Sequence, residues 1–131
     1  MKIVTAAIIK KDNTILVARR APGEKLEGFW EFPGGKVEDE ETLQDCLERE
    51  MEEEFGLITK SGEELTSSIY KYEHGSFKIV ALESTILSGD LELRVHDKIK
   101  WIHIDKLLEV EFLPADIAIA EYLIHLQKKG N

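Results

Sequence analysis

Apolar residues recur along this chain in two rhythms, and the changes of rhythm divide it into strands and helices. Ile3 to Ile9 is a dense run rich in β-branched residues and predicts a strand. Asp12-Asn13 reads as a turn, and Ile15 to Ala18 returns as a second strand, making a hairpin. Arg19 to Gly28 contains Pro22, Gly23 and Gly28 and predicts a loop; Phe29 to Phe32 is a short strand closed by Pro33-Gly34-Gly35. The period then lengthens. Leu43, Cys46, Leu47 and Met51 fall on one side of a helix, capped by Thr42 with Asp45 as return partner and stopped by Gly56 after Phe55. Thr66 to Glu73 and Phe77 to Leu87 predict a second hairpin across His74-Gly75-Ser76. After a turn at Ser88-Gly89-Asp90 come a strand from Lys100 to Ile104 and a short helix, Lys106 to Glu109, capped by Asp105. Pro114 opens a last helix to about Gln127, with Ile117, Ala120, Leu123, Ile124 and Leu126 as its core positions. No repeat, low-complexity segment or linker interrupts the pattern, so residues 1–131 are read as one domain of α+β or α/β sandwich type.

Composition sets limits on this picture. With 131 residues, 43% of them hydrophobic, the chain suits a soluble domain with its own core. No apolar run approaches the roughly 20 residues needed to span a bilayer, and Met1 to Ile9 is too short and strand-like for a secretory signal. The one cysteine, Cys46, has no partner for an internal disulfide and reads as a small core residue, with a cytoplasmic location as the default. The net charge of −9 argues against duplex nucleic acid as a partner. It leaves open a phosphorylated small molecule held through bridging cations. The acidity is concentrated between Glu38 and Glu54, which points to a site rather than to general solubility.

The helix after Thr42 carries the chemistry. At about 100° per residue, Glu50 and Glu54 project on nearly the same side as Leu43, Cys46, Leu47 and Met51. A solvated acidic helix would keep its apolar stripe clean; this one does not. An unpaired buried carboxylate costs several kcal/mol or shifts its pKa until it neutralises. A hard divalent cation, Mg²⁺ or Mn²⁺, removes that conflict. Glu50 and Glu54 stand at i,i+4, and Glu50 and Glu53 at i,i+3, so their oxygens are able to converge.

Gly35, Glu41, Arg49, Glu50, Met51, Glu53, Glu54, Gly56 and Leu57 match every defined position of G-x5-E-x7-R-E-U-x-E-E-x-G-U, where U is a bulky aliphatic residue. This is the Nudix box, and the stretch Trp30-Glu31-Phe32-Pro33-Gly34-Gly35-Lys36 resembles the MutT-like branch of the Nudix hydrolases. The resemblance extends from Ile3 to Leu126 and implies the Nudix fold, an α/β/α sandwich with a mixed sheet between helices. It implies metal binding by Glu50, Glu53, Glu54 and the carbonyl of Gly35, with Arg49 orienting the glutamates and Glu41 as electrostatic support. Similar proteins carry a phosphate-binding arginine at the position of Arg20, and Lys36 is a further phosphate candidate.

For the base, Phe112-Leu113-Pro114-Ala115-Asp116-Ile117 is similar to the recognition segment of MutT-like enzymes, and the Pro-Ala-Asp-Ile run is shared with CTP pyrophosphohydrolase-like members. An Asp116 carboxylate accepts from an exocyclic amino group such as cytosine N4. Its bland alternative is a first-turn acid favoured by the helix dipole. Phe32, Phe77 and Trp30 are candidates to stack on a base, although an aromatic in a strand is more often core.

One position departs from the pattern. Related proteins often carry a further glutamate six residues before the tryptophan matching Trp101, and here that residue is Val95. Glu50 is then the first candidate for the catalytic base, with Asp97 as a shifted substitute, whereas His96 reads as a solvated loop histidine. The leading reading is Mg²⁺-dependent hydrolysis of a nucleoside triphosphate to monophosphate and pyrophosphate, by a monomer or homodimer. The alternatives are 8-oxo-dGTP sanitisation, hydrolysis of a nucleoside diphosphate linked to another group, such as ADP-ribose, and a non-catalytic nucleotide-binding module.

Overall fold

The computed structural model describes residues 1–130. Its elements run β1 (Lys2–Lys11), β2 (Thr14–Arg20), β3 (Trp30–Glu31), β4 (Gly34–Lys36), α1 (Leu43–Phe55), β5 (Ile58–Tyr72), β6 (Gly75–Ser88), β7 (His96–His103), a 3₁₀ helix (Ile104–Glu109) and α2 (Pro114–Lys129). The strands form one mixed sheet in the order β3-β2-β1-β6-β5, with β4 also paired to β1 and β7 to β2. β1 runs parallel to β6 and antiparallel to β2 and β4. Thr5 to Ile9 are all buried, as a central strand covered on both faces requires.

Helices cover those two faces, giving the α+β sandwich that the resemblance implies. On one side Leu47, Met51 and Phe55 of α1 meet Ala7, Ile9, Leu16, Val80 and Leu82. On the other, Ile119, Ala120 and Leu123 of α2 meet Ala6, Ile8, Val17, Ile79 and Ala81. α1 begins where the Thr42 hydroxyl accepts from Asp45 N–H and ends at Gly56, whose φ of 67° needs a residue without a Cβ penalty. Arg94 adds two bonds from Nη1 to the last-turn carbonyls of Glu52 and Glu53, at 3.1 and 2.8 Å.

Three expectations need correction. β5 starts at Ile58, well before Thr66, because its pairing with β6 is broken by register shifts between Ile58 and Glu64 and between Glu64 and Thr66. Such irregularities erase the two-residue alternation by which strands are recognised. β7 starts at His96, not Lys100; its polar first half is held by backbone pairing with β2 rather than by an apolar face. In α2 the buried face is Asp116, Ile119, Ala120 and Leu123, while Ile117 and Leu126 are exposed. The helix is apolar nearly all round, so periodicity did not select the face.

Candidate active site

One cavity of about 380 Å³ opens where β1, β4 and β6 meet the flank of α1 and the start of α2. Arg20, Phe32, Gly35, Lys36, Glu50, Glu54, Phe77 and Asp116 all line it, as do Glu31 and Val95. Residues 96 positions apart in sequence, Arg20 and Asp116, thus share one wall system. The volume falls in the range of small-molecule sites.

α1 supplies the acidic wall. Glu50 and Glu54 lie half-buried beside the apolar stripe, while Glu53 is exposed and does not line the cavity. Burial raises the Glu50 carboxyl above its ordinary range, against the pull of Arg49. Glu54 is pushed up to about 8, chiefly by burial and then by the neighbouring charges of Glu31 and Glu50. Glycine makes room for this wall. A Cβ at Gly35 would stand 2.2 Å from the Glu50 carboxyl carbon, and one at Gly34 would stand 1.9 Å from the carbonyl oxygen of Thr5.

Arg49 gathers the remaining carboxylates. Its Nε and Nη2 donate to the two oxygens of Glu41 at 2.6 and 2.9 Å, a bidentate pair, and Nη1 donates to Glu50 at 2.8 Å and to Glu53 at 3.1 Å. This holds the Glu41 carboxyl down at about 2 and raises the Arg49 guanidinium further. Among the described residues no three His, Cys, Asp or Glu side chains stand together as a metal-binding group. Arg49 draws Glu50 and Glu53 toward itself, and Glu54 has no side-chain hydrogen bond to it among the described residues. The carbonyl of Gly35 faces Thr5 Oγ1 at 3.1 Å and the thiol of Cys46 at 3.7 Å. A cation nevertheless suits this donor set, because the half-buried Glu54 has three carboxylate neighbours, Glu31, Glu50 and Glu53, and no cationic hydrogen-bond partner among the described residues.

At the opposite end Asp116 is 6% exposed, and its Oδ2 accepts from the backbone N–H of Phe32 at 3.0 Å. Burial, followed by the charge of Glu31, pushes this carboxyl up to about 8. Phe32 stacks on Phe112 at 4.9 Å between ring centroids, and Phe77 lies against Tyr70 and Tyr72. Trp30 does not line the cavity; Arg19 and Lys100 sit over its ring at 5.8 and 5.1 Å.

Two candidates are placed differently from the sequence reading. Asp97 lies outside the cavity lining, and its two oxygens are both bound by Arg19 at 2.9 Å, which lowers its carboxyl. His96 is no solvated loop residue: it is 3% exposed, stacked on Phe55, with Nε2 at 2.7 Å from Glu31 Oε2. The reason is shared. His96 and Asp97 belong to β7, so alternation sends them to opposite faces, His96 inward and Asp97 toward solvent. Glu31 was missed as well. The signal was its place between Trp30 and Phe32, where a polar residue interrupts an apolar strand.

Comparison with known proteins agrees with this arrangement. A family model described as the NUDIX domain matches residues 1–124. The CTP pyrophosphohydrolase of Escherichia coli is 33% identical over 124 residues, covering 95% of this chain and 92% of that protein. A putative 8-oxo-dGTP diphosphatase 2 of Mycobacterium tuberculosis is 35% identical over 118 residues, covering 88% of this chain and 82% of that protein. The solution structure of the E. coli ORF135 protein superposes with a TM-score of 0.84 at 32% identity, covering 97% of this chain and 91% of the other.

Proposed function

Because the chain belongs to the Nudix family, we propose that it hydrolyses nucleoside triphosphates to nucleoside monophosphate and pyrophosphate, with cytosine nucleotides preferred. One observation carries the reading. A single cavity is lined by Glu50 and Glu54 of an acidic helix flank, by Phe32, Phe77 and Asp116, and by the cations Arg20 and Lys36.

The chain's own residues divide the work. Arg20 and Lys36 offer N–H donors to phosphate oxygens. Glu50 and Glu54, with Glu53 at the rim, are the carboxylates that would hold Mg²⁺ or Mn²⁺; such an ion supplies charge neutralisation for the phosphates and a more acidic water. Glu50 is the group to accept the water's proton as the P–O bond between the α and β phosphates breaks. Its raised carboxyl suits that role, since a base works best near the operating pH. Val95 lines the cavity with an apolar side chain and has no proton to exchange. Arg49 fixes Glu50 from behind.

At the base end, Asp116 spends Oδ2 on Phe32 N–H and keeps its other oxygen for a ligand. As a carboxylate, that oxygen accepts from cytosine N4. The similarity to the CTP pyrophosphohydrolase supports this choice. A second reading, 8-oxo-dGTP hydrolysis, has its own observation: with a pKa of about 8, Asp116 carries a proton at neutral pH and donates to an acceptor such as guanine O6. Turnover of CTP, dCTP, dGTP, 8-oxo-dGTP and ADP-ribose with Mg²⁺, with products identified, tests both readings. A kcat/KM for 8-oxo-dGTP well above that of every cytosine nucleotide replaces the first with the second. Release of inorganic phosphate instead of pyrophosphate rejects the proposed bond cleavage.

A further inference from the structure

From the cavity lining inward runs a line of three side chains, Arg20, Glu31 and the buried His96, of which only Arg20 has a role above. Glu31 Oε2 receives Arg20 Nη1 at 3.0 Å and faces His96 Nε2 at 2.7 Å. The His96 side chain is fully out of solvent, and its ring lies 5.0 Å from that of Phe55 at an interplanar angle of 12°. Its Nδ1 has no hydrogen-bond partner among the described residues. A buried ring nitrogen left without a partner is a cost, so Nε2 and the stacking surface are what keep histidine there.

We infer that His96 is a positioning residue, which acts through Glu31 to hold Arg20 in the orientation that receives the substrate's phosphates. The hydrogen assignment follows from the geometry. Arg20 Nη1 already donates to Oε2, so that oxygen is an acceptor, and Nε2 is the ring nitrogen that carries hydrogen. The ring is fixed by Phe55, at the end of the same helix that bears Glu50 and Glu54. Glu31 is thereby fixed from β7, and Arg20 is fixed twice, by Glu31 and by the carbonyl of Lys25 at 2.6 Å from Nε. A guanidinium has five N–H groups, so these two bonds leave others for a ligand. Arg20 lines the cavity. Removing the His96 bond frees Glu31 to follow Arg20, and the arginine loses its set direction.

This inference rests on the reading that Arg20 binds phosphate, and the test separates the two. Steady-state kinetics on CTP and dGTP are compared for wild type, His96→Phe, His96→Gln, Arg20→Ala and the double variant His96→Phe/Arg20→Ala. Phenylalanine keeps a flat ring against Phe55 and removes the donor; glutamine restores an N–H. The expected result is a KM raised about tenfold in His96→Phe with kcat changed less than about threefold. His96→Gln should recover most of the loss, and the double variant should be no worse than Arg20→Ala alone. Full additivity, or a loss in kcat with KM unchanged, overturns the inference. Arg20→Ala with wild-type KM rejects the phosphate reading itself. Should His96→Phe fail to fold, the ¹⁵N spectrum of wild type decides: a protonated Nε2 supports the arrangement, and a neutral Nδ1–H tautomer overturns it.

Discussion

The backbone N–H of Phe32 donates to the Asp116 carboxyl across 84 positions of sequence, at 3.0 Å. That bond ties the segment between β3 and β4 to the first turn of α2, and both residues line the cavity. It also buries an ionisable group with no cationic partner, and this has a thermodynamic consequence.

Asp116 and Glu54 both titrate near 8 in the folded protein and near 4 when unfolded. Between those values the native form holds protons that the unfolded chain has lost. The stability these two carboxyls contribute is therefore fully present below about pH 4 and is lost as pH rises through about 8. Thermal melts in metal-free buffer should show Tm declining across that window. Asp116→Asn keeps an oxygen for Phe32 N–H and should flatten the decline. An unchanged slope in that variant argues against Asp116 as its source.

Glu54→Gln should cost about a hundredfold in activity and at least about tenfold in Mn²⁺ affinity, because an amide is a poor ligand for a hard cation. The same change removes a buried charge, so the metal-free variant should melt higher than wild type at pH 8. Calorimetric titration with Mn²⁺ checks the first effect and a melt checks the second. Wild-type affinity would remove Glu54 from the ligand set.

Arg49→Lys should lose about tenfold or more in kcat/KM, since one ammonium cannot reproduce the bidentate pair on Glu41 while also reaching Glu50 and Glu53. The Glu41 carboxyl, held at about 2 by Arg49, gives stability that is lost as pH falls from about 4 toward 2. The lysine variant should therefore unfold at a higher pH on acid titration. Equal acid midpoints would show that the pair contributes nothing measurable.

Glu50→Gln and Asp97→Asn separate the two candidate bases. Single-turnover rates should fall about a hundredfold or more in the first and change less than about threefold in the second. Asp97 is bound to Arg19 outside the cavity, and Glu50 lines it. A larger loss in the Asp97 variant would reverse the assignment.

What the sequence determined by itself is local. The helical period placed Glu50 and Glu54 beside Cys46, Leu47 and Met51, and α1 carries those carboxylates half-buried next to that stripe. Thr42 and Gly56 marked its ends because caps act within one turn. The acidic motif marked the family for the same reason: its spacing lies within one short stretch. Tertiary structure alone decided the rest. β5 lost its alternation to register shifts that only its partner strand defines. The apolar circumference of α2 left its buried face to be chosen by the sheet beneath it. His96 and Asp97, neighbours in sequence, were sent to Glu31 and Arg19 on opposite faces of β7. Such pairings join residues 65 and 78 positions apart, and no local period encodes them. They arise because a buried polar group must find a partner, and which partner is within reach depends on how the strands are laid side by side.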